Sequence, residues 1–338
     1  MENQKIKFAV IGFGHIGRRH AEMIYRNPEA ELVAICDVRS EDDLGLGELK
    51  VPVFSSMESL FQSGIELDVV NICTANGLHS TQALEALSNH KHVVVEKPLG
   101  LKVQNCEQVI AKSDEVNKQV FCVMQNRYSP PSVWNKDVVN RNLLGDIYMV
   151  EINCYWNRDD RYYKKGSWKG TKEMDGGSLF TQFSHFIDMM YWLFGDIKNI
   201  NAKLENFRHK GLTDFEDSGM VNFDFVNGGV GTFNYSTAVW DKNMESTITI
   251  IGSKGSVKLG GQYMENVEHC HIDGYDMPGL PKLSTKHNYG NYKGAAANHH
   301  FIIENVIDTL NGKTEITTSA DEGLKVVDII ERIYSEKK

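Results

Sequence analysis

The chain has 338 residues, of which 41% are hydrophobic and 24% are charged, and its formal net charge at pH 7 is −9. This length exceeds most single hydrophobic cores, so we expect two domains. The acidic balance argues against a protein that binds nucleic acid or a membrane surface, because such proteins usually carry a basic face. Small anionic substrates are not excluded, since a local basic pocket can lie on an acidic protein.

The sequence has no run of about 18 apolar residues, so no transmembrane helix is expected. The amino terminus enters a strand pattern almost at once and lacks a secretory signal, which indicates a cytoplasmic protein. The six cysteines form no CxxC pair, and several lie in apolar runs typical of buried, reduced thiols. His269-Cys270-His271 offers possible metal ligands, but in a strand Cys270 points away from both histidines. His299-His300 is no stronger a signal, and we expect no metal.

The first third of the chain alternates apolar runs with helical patterns. Apolar strands are predicted over residues 6–12, 31–37, 67–74, 91–95 and 119–125, and helices over 15–27, 78–90 and 103–117. Continuous apolar strands separated by helices indicate a parallel sheet that is covered on both faces. Residues 1–125 are therefore predicted to form a doubly wound α/β domain of the Rossmann type.

After residue 126 apolar and polar residues alternate, which is typical of half-buried strands. Such strands are predicted over 146–156, in a hairpin over 218–239 that turns at residues 227–229, and in a second hairpin over 246–260. Helices are predicted over 178–194, 296–311 and 319–336. Residues 126–338 should form an α+β domain, with a mostly antiparallel open sheet covered by helices on one face.

A Gly-x-Gly-x-x-Gly motif starts at residue 12, directly after the first strand and directly before the first helix. In this context glycines permit a tight turn and a close approach of the backbone to a pyrophosphate at the helix N-terminus. The loop expected to contact a dinucleotide comprises Gly12, Phe13, Gly14, His15, Ile16 and Gly17. A glycine-rich turn without a ligand, and a flavin or another nucleotide, are the alternatives.

Asp37 ends the second strand, about 20 residues beyond the last glycine of the motif. A carboxylate there accepts hydrogen bonds from a ribose 2′-hydroxyl and repels a 2′-phosphate, which favours NAD over NADP. Arg39 lies close by in the sequence and could favour NADP. The sequence therefore predicts NAD, with NADP as the weaker alternative.

Further candidates for cofactor contacts follow other strands of the same sheet. Thr74, Asn76 and His79 come at the end of the strand over 67–74, and Gln125 ends the last strand of the domain. Ligands of such sheets bind at the carboxyl ends of the strands. His79 considered alone is as often an ordinary histidine at a helix start.

Glu96-Lys97-Pro98 follows the strand over 91–95, at the same edge of the sheet. By itself this triplet is either a solvated, charged turn or part of a site. The helix over 178–194 places Thr181, His185 and Asp188 at i, i+4 and i+7, on one stripe. By composition alone, His185 would be a buried histidine whose ring is hydrogen-bonded to a neighbouring residue and has no catalytic role.

Together, the glycine motif, the Glu96-Lys97-Pro98 triplet and a histidine-bearing helix after a Gly-Gly pair resemble the Gfo/Idh/MocA oxidoreductase family over essentially the whole chain. The resemblance implies that Lys97 lies beside the nicotinamide and the substrate hydroxyl, with a cis bond before Pro98. It also implies that His185 is the general acid/base and that Glu96 holds the loop or the lysine in place. A histidine pKa of about 6.5 suits removal of an alcohol proton as the hydride leaves.

One position departs from the commonest family pattern. Many members carry aspartate four residues before the histidine, where this chain has Thr181. A threonine cannot share a proton with the histidine as an aspartate can, so proton transfer must depend more on Lys97 and His185. Some members that act on nucleotide sugars have asparagine there, so the loss of the acid is compatible with activity.

Substrate contacts are expected from residues 155–177, which are rich in aromatic and basic side chains. This segment resembles a loop of family members that act on UDP-linked N-acetylated uronic acids in surface polysaccharide synthesis, as do residues 125–130 and 289–312. Arginines can pair with carboxylate or diphosphate, and aromatic rings can stack on sugar or uracil. The candidate substrate-binding residues are Arg127, Tyr163, Trp168, Asn291 and His299.

These features predict an NAD-dependent dehydrogenase that oxidises a secondary hydroxyl of a sugar. The expected substrate is a UDP-linked N-acetylated uronic acid, oxidised at its 3-position in lipopolysaccharide or polysaccharide biosynthesis. The alternatives are a free-sugar or inositol dehydrogenase and a dinucleotide-binding regulator without turnover. The resemblance also implies a homodimer or homotetramer formed through the sheet of the second domain, since a large open face is seldom left to solvent.

Overall fold

The structure, a computed structural model, describes residues 5–281 and 298–336. Packing divides the chain into two compact units, each with its own sheet. The first unit runs to Val123 and includes His299–Val327; the second comprises Met124–Asn298 and the residues from Asp328 onward. The predicted domain boundary after residue 125 lies close to the first of these divisions. Residues 299–327, assigned to the second domain by the sequence pattern, pack here with the first unit.

The first unit is built on a parallel sheet. Its strands are β1 (Ile6–Ile11), β2 (Ala30–Cys36), β3 (Val53–Phe54), β4 (Val69–Ile72), β5 (His92–Val95) and β6 (Val120–Cys122). They are ordered β3-β2-β1-β4-β5-β6, and every neighbouring pair is parallel. The chain order reverses between β1 and β4, and in sheets of this kind ligands bind at the carboxyl edge beside that point.

The composition of the strands explains why this sheet is buried. All of β4, and β5 after its first residue, is buried and is mostly valine and isoleucine. Because successive side chains point to opposite faces, burial of every residue means that both faces are covered. Asn71, in β4, is the polar exception and is fully buried.

The helices connect these strands and extend into the second unit. The α-helices of the described residues are α1 (His15–Arg26), α2 (Glu41–Leu44), α3 (Met57–Gln62), α4 (His79–Ser88), α5 (Val103–Val116), α6 (Pro130–Asn140), α7 (Ser184–Phe194), α8 (His299–Leu310) and α9 (Ala320–Ser335). Short 3-10 turns cover Asn76–Leu78 and Gln125–Tyr128, and a π-helical turn, Leu179–Phe183, precedes α7. None of these helices combines the length and the apolar composition that a membrane span requires.

The second unit is built on a larger, mostly antiparallel sheet. Its strands are β7 (Ile147–Tyr155), β8 (Ile197–Glu205), β9 (Ser218–Phe225), β10 (Val230–Ser236), β11 (Glu245–Gly252), β12 (Gly255–Gly260) and β13 (Asn266–Ile272). They are ordered β13-β12-β11-β7-β10-β9-β8, and of these neighbours only β7 and β10 are parallel. The two predicted hairpins are β9–β10 and β11–β12. The predicted fold class, a Rossmann sheet with a second, mostly antiparallel sheet, is confirmed.

One face of this second sheet carries the core of its unit. Along β7, Val150, Ile152 and Cys154 are fully buried and alternate with more exposed residues, as the sequence pattern indicates. The ring of Phe183, from the π-helical turn, lies 5.1 Å from that of Tyr235 and 5.4 Å from that of Trp156, centroid to centroid. Such aromatic contacts each stabilise a core by about 0.5–1.5 kcal/mol beyond burial of area.

Several elements differ from the predictions. The strand predicted over 119–125 ends at Cys122, so Gln125 lies in a 3-10 turn and not at a strand end. The helix predicted over 178–194 begins with π-helical geometry, so the α-helical spacing that placed Thr181 and His185 on one stripe does not hold there. No sequence signal was found for α6, whose Pro130 is tolerated because it stands in the first turn. The patterns also missed α2, α3, β3, β8 and β13.

Candidate active site

The glycine motif forms a tight turn between β1 and α1. Gly12 has φ +84°, which side chains rarely adopt, and a Cβ there would lie 2.8 Å from Thr74. A Cβ on Gly17 would lie 1.9 Å from the carbonyl oxygen of Gly12, so the helix packs directly on the turn. A Cβ on Gly14 would meet nothing within 4 Å. The space beside Gly14 is therefore the place where a ligand can approach the backbone.

The start of α1 suits a pyrophosphate. Gly14 is the N-cap, no side chain caps it, and the first turn holds no acidic residue. Gly14 and His15 are exposed and Ile16 is half-buried, whereas the Phe13 ring is buried beneath the Arg18 guanidinium, 4.7 Å away. A helix N-terminus with uncapped N–H groups attracts anions. The loop therefore fits a dinucleotide, with Phe13 as a support and not as a contact surface.

Asp37 follows β2 at the same edge of the sheet. Its carboxylate accepts hydrogen bonds from the backbone N–H of Phe13 at 2.7 Å and from the Arg39 side chain at 2.9 Å. Burial raises the pKa of Asp37, but the hydrogen bonds from Arg39 and Phe13 outweigh it and lower that pKa to about 2. The group is thus an anion at neutral pH, able to accept ribose hydroxyls.

His79 joins the loops that follow β4 and β5. Its ring is 1% exposed, with Nδ1 2.7 Å from the carbonyl oxygen of Pro98 and Nε2 3.2 Å from that of Thr74. Burial is the largest influence on the pKa of His79 and lowers it. The neutral ring has a single N–H, and the shorter of the two distances assigns its hydrogen bond to the Pro98 carbonyl oxygen. Asn76 is also buried, so of the three candidates after β4, Thr74 is the most accessible.

Lys97 stands one residue beyond the Glu96 that follows β5. Its side chain is half-buried, and the bond between Lys97 and Pro98 is cis, as the family resemblance implied. The Lys97 backbone N–H lies 3.3 Å from the Glu96 carboxylate. The conformation of the catalytic candidate is therefore tied to the glutamate before it.

Glu96 is buried with two histidines from different helices. Its Oε1 lies 3.0 Å from Nε2 of His20, on α1, and 3.5 Å from Nε2 of His299, on α8. Nδ1 of His20 contacts the Asn71 amide at 2.9 Å. Burial raises the pKa of Glu96, but the hydrogen bonds from His20 and His299 outweigh it and hold that pKa well below its usual range.

His299 was predicted to contact the substrate, and the structure places it in this cluster at 3% exposure. Burial lowers its pKa to about 4, against the opposing effect of Glu96. The ligand atoms of His20, Glu96 and His299 lie within 4.8 Å of one another. His20 donates directly to the carboxylate at ordinary hydrogen-bond distance. We therefore interpret the cluster as a set of hydrogen-bonding groups that fixes the position of the Glu96 side chain. The sequence analysis named His299 and Glu96 but missed His20, whose only signal is its place on α1.

In the second unit, His185 lies in the first turn of α7. It is 5% exposed, and its Nε2 lies 3.2 Å from the side-chain amide nitrogen of Gln125. An N–H donated by the amide leaves Nε2 as an acceptor, which is the form a general base needs. Gln125, predicted as a cofactor contact, is therefore also the residue that orients the histidine.

Two further candidates pair with each other. Arg127 donates from Nε at 2.9 Å and from Nη2 at 2.5 Å to the two carboxylate oxygens of Asp188, and both side chains are 1% exposed. The Arg127 guanidinium also lies 5.4 Å from the Trp192 ring. A buried, bidentate pair of this kind orders the turn next to Gln125 and α7.

Thr181 has a carboxylate partner that the sequence did not indicate. Its hydroxyl donates to the backbone oxygen of Asp175 at 3.0 Å and also contacts the Asp175 side chain. Asp175 is fully buried and accepts from the Gly170 backbone N–H at 2.6 Å. A carboxylate therefore stands next to the position where many family members have their aspartate, supplied by the preceding loop.

The remaining substrate candidates have different surroundings. Tyr163 is 3% exposed, and its ring packs edge-on against His209 at 5.3 Å and Phe215 at 6.2 Å. Trp168 is half-buried. Asn291 lies outside the described residues. Of Tyr163 and Trp168, Trp168 is the one with exposed surface that a ligand could contact.

A Rossmann-type sheet with this glycine turn, an ionised aspartate after β2 and a lysine after β5 defines a dinucleotide-binding oxidoreductase. Residues 6–124 match the model of an oxidoreductase family with an NAD-binding Rossmann fold, and residues 135–258 match the Gfo/Idh/MocA C-terminal domain. The chain belongs to the Gfo/Idh/MocA oxidoreductase family. The predicted family and the predicted cofactor, NAD, are confirmed.

Known proteins resemble the chain over its full length. The WlbA dehydrogenase from Bordetella pertussis, solved with NADH and UDP-GlcNAcA, is 29% identical with a TM-score of 0.87, and the match covers 98% of this chain and 96% of that one. WlbA from Chromobacterium violaceum, solved with the same ligands, is 28% identical with a TM-score of 0.86, covering 99% and 94%. An inositol 2-dehydrogenase from Rhizobium meliloti is 24% identical over 351 residues, covering 98% of each chain.

Proposed function

We propose that this protein is an NAD-dependent dehydrogenase that oxidises the 3-hydroxyl of a UDP-linked N-acetylated uronic acid, in the biosynthesis of lipopolysaccharide or another surface polysaccharide. The observation that carries the proposal is the full-length likeness to two dehydrogenases solved with NADH and UDP-GlcNAcA. Substrates of this class are cytoplasmic metabolites, so we place the protein in the cytoplasm.

The roles follow from the surroundings of each side chain. His185 takes the proton of the secondary hydroxyl at Nε2, once the hydroxyl has replaced the Gln125 amide that donates to the same lone pair. Lys97 orients the reacting oxygen and stabilises the negative charge that develops on it. Glu96, held by His20 and His299, supports Lys97 from the preceding residue. The Gly12–Gly17 loop and Asp37 would hold NAD, which supplies the hydride acceptor when bound.

Lys97→Ala and His185→Ala test these roles. Each variant should lower the turnover of UDP-GlcNAcA with NAD by about 10²-fold or more, because each removes a group that acts on the reacting hydroxyl. Formation of NADH is followed by absorbance, and NADH affinity is measured separately by fluorescence. Affinity for NADH should stay within about threefold, since the glycine loop and Asp37 are intact.

Matched controls come from exposed residues of the same type. Lys102→Ala is the control for Lys97→Ala, because Lys102 lies in the same segment. His271→Ala is the control for His185→Ala, and His271 lies on β13 of the second unit. Both control positions are exposed. These variants should retain the rate of the wild type. Wild-type rates in both Lys97→Ala and His185→Ala would contradict the mechanism. NADH binding by a wild type that turns over no substrate would instead favour a dinucleotide-binding regulator.

Oxidation of inositol or a free sugar is the second candidate function. It is favoured by the 24% identity with an inositol 2-dehydrogenase across 98% of both chains. A panel of UDP-sugars, free sugars and myo-inositol, assayed with NAD, separates the two. Efficient oxidation of myo-inositol or a free sugar, with no oxidation of any UDP-sugar, would replace the first proposal by the second.

A further inference from the structure

Lys169, in the basic and aromatic segment after β7, has unusual surroundings for a lysine. Its side chain is half-buried, and its Nζ lies 4.1 Å from the centroid of the Tyr162 ring and 5.9 Å from that of Trp168. Within residues 5–281 and 298–336, no carboxylate lies within ion-pair distance of this ammonium group. The charge is thus partly removed from water and faces aromatic rings.

The charges around Lys169 leave an excess of positive charge. Arg158 is 6% exposed, and its guanidinium lies 5.3 Å from the same Tyr162 ring. The nearby acid, Asp175, already accepts from the Gly170 backbone and contacts Thr181. Burial lowers the pKa of Lys169, the charge of Asp175 opposes this, and the charges of Arg158 and Lys164 add to it. An anionic ligand would offset this unfavourable environment.

The cationic group around Lys169 contacts the π-helical turn that precedes α7 and His185. The Tyr162 hydroxyl accepts a hydrogen bond from the amide of Gln182 at 2.9 Å, and Arg158 donates to the oxygen of the same amide at 2.8 Å. Gln182 belongs to the π-helical turn, three residues before His185. The Tyr162 ring, on which Lys169 lies, is therefore held by the π-helical turn that leads into α7, the helix of His185.

We propose that Lys169 binds the carboxylate of the sugar and so selects a uronic acid over the corresponding neutral sugar. The inference rests on the proposed function, because it assigns a charge-selecting residue to that same substrate. An ammonium group among aromatic rings forms a stronger hydrogen bond to an ionised acceptor than a fully solvated lysine does. A neutral hydroxymethyl group at the same place would leave the ammonium without a counter-charge.

Calorimetric titration of the NADH-loaded protein with UDP-GlcNAcA and with UDP-GlcNAc tests the proposal, since the two ligands differ in the carboxylate and share the diphosphate. The wild type should bind the acid about 10- to 100-fold more tightly. Lys169→Met should remove this preference by weakening only the acid. Lys169→Arg, which keeps the charge, should retain part of it, and Lys165→Met, at an exposed position of the same segment, should retain all of it.

Each outcome decides one of the two proposals. Equal weakening of both ligands in Lys169→Met would assign the lysine to the diphosphate or to packing and would overturn the inference, as would an unchanged preference. Tight, acid-selective binding without any NADH formation from UDP-GlcNAcA and NAD would overturn the dehydrogenase proposal while supporting Lys169. A wild type that binds neither ligand would overturn both.

Discussion

At the scale of single residues, we propose that the pairing of Asp37 with Arg39 sets the preference for NAD over NADP. The sequence placed the two residues in competition, one favouring NAD and the other NADP. In the structure they form an ion pair in which both Asp37 oxygens accept from Arg39. The arginine is therefore held by the acid, while the acid repels a 2′-phosphate.

Replacing Asp37 should change cofactor preference and not only affinity. Asp37→Ala removes the ribose acceptor and releases Arg39 to meet a 2′-phosphate. We expect NADH affinity to fall by about 10-fold, in line with the loss of a charged hydrogen bond, and NADPH affinity to rise. Fluorescence titration with both cofactors measures this. Unchanged affinities for both would show that Asp37 lies outside the cofactor site, and Asp43→Ala, at an exposed position of α2, is the control.

The buried cluster around Glu96 should make stability depend on pH. The pKa of His299 is lowered to about 4 in the folded protein, below the value of about 6.5 in an unfolded chain. Above about pH 6.5 the residue is neutral in both states. As pH falls from there towards 4, the unfolded chain takes up a proton that the folded chain does not, so the free energy of unfolding decreases.

His299→Gln should therefore reduce the pH dependence of stability. Glutamine keeps an N–H that can donate to Glu96 but takes up no proton. Between pH 6.5 and 4.5, the slope of the unfolding free energy against pH should fall by up to about 1.4 kcal/mol per pH unit. Urea unfolding across this range measures the slope. His271→Gln, at an exposed position, should leave it unchanged, and an unchanged slope in His299→Gln would mean that His299 titrates normally.

At the scale of elements, the turn between β1 and α1 gives the three glycines different tasks. A side chain on Gly17 would collide with the Gly12 carbonyl oxygen, whereas one on Gly14 would enter open space. The sequence motif treats these positions alike, because it records only that glycine is present. The backbone geometry separates a packing glycine from a ligand-facing one.

Gly17→Ala and Gly14→Ala should consequently fail in different ways. In Gly17→Ala the turn must shift, so we expect both a lower melting temperature and weaker NADH binding. Gly14→Ala should keep the melting temperature of the cofactor-free wild type and lose NADH affinity, because its methyl group occupies the space that a pyrophosphate needs. Thermal unfolding and fluorescence titration separate the two. Equal melting temperatures for both variants would contradict the packing role of Gly17.

The helix that carries His185 shows where sequence periodicity stops being informative. Its apolar composition and the Gly-Gly pair before it were enough to predict a helix near 178–194. They could not predict the π-helical turn over Leu179–Phe183, where the Leu179 backbone N–H donates to the Tyr334 hydroxyl at 3.2 Å and the Phe180 ring stacks on that of Tyr334. Tyr334 comes from the last helix, so these contacts join residues that are far apart in the chain.

At the scale of the whole molecule, the outer face of the second sheet carries several apolar side chains that are exposed among the residues the structure describes. Met220, on β9, is 61% exposed, and Val230, on β10, is 47% exposed. Met149, opposite Val230 on β7, is 44% exposed. We propose that this face forms the homodimer or homotetramer interface that the family resemblance implies.

Charges placed on this face should separate the subunits. Val230→Arg combined with Met220→Arg should convert the assembly to monomers, because two arginines from each copy would meet in a desolvated interface. Light scattering after size exclusion gives the mass, and NADH binding checks that the first unit is intact. Tyr25→Arg, at a 61% exposed position on α1, should leave the mass unchanged. A monomeric wild type at micromolar concentration would contradict the proposed interface.

The sequence alone was enough to predict the class of each sheet and the places of the glycine turn, Asp37 and the Lys97 turn at the ends of strands. These depend on local properties, namely the period of apolar residues, glycines at fixed spacing and the position of a residue at a strand end. Only the tertiary structure decided which side chains meet. His20 and Glu96 are 76 residues apart in the chain, and Arg127 and Asp188 are 61 apart. Such pairs depend on long-range packing, which no local pattern records. The same packing buries the Tyr163 ring in the core of the second unit and places the Lys169 ammonium group against the Tyr162 ring.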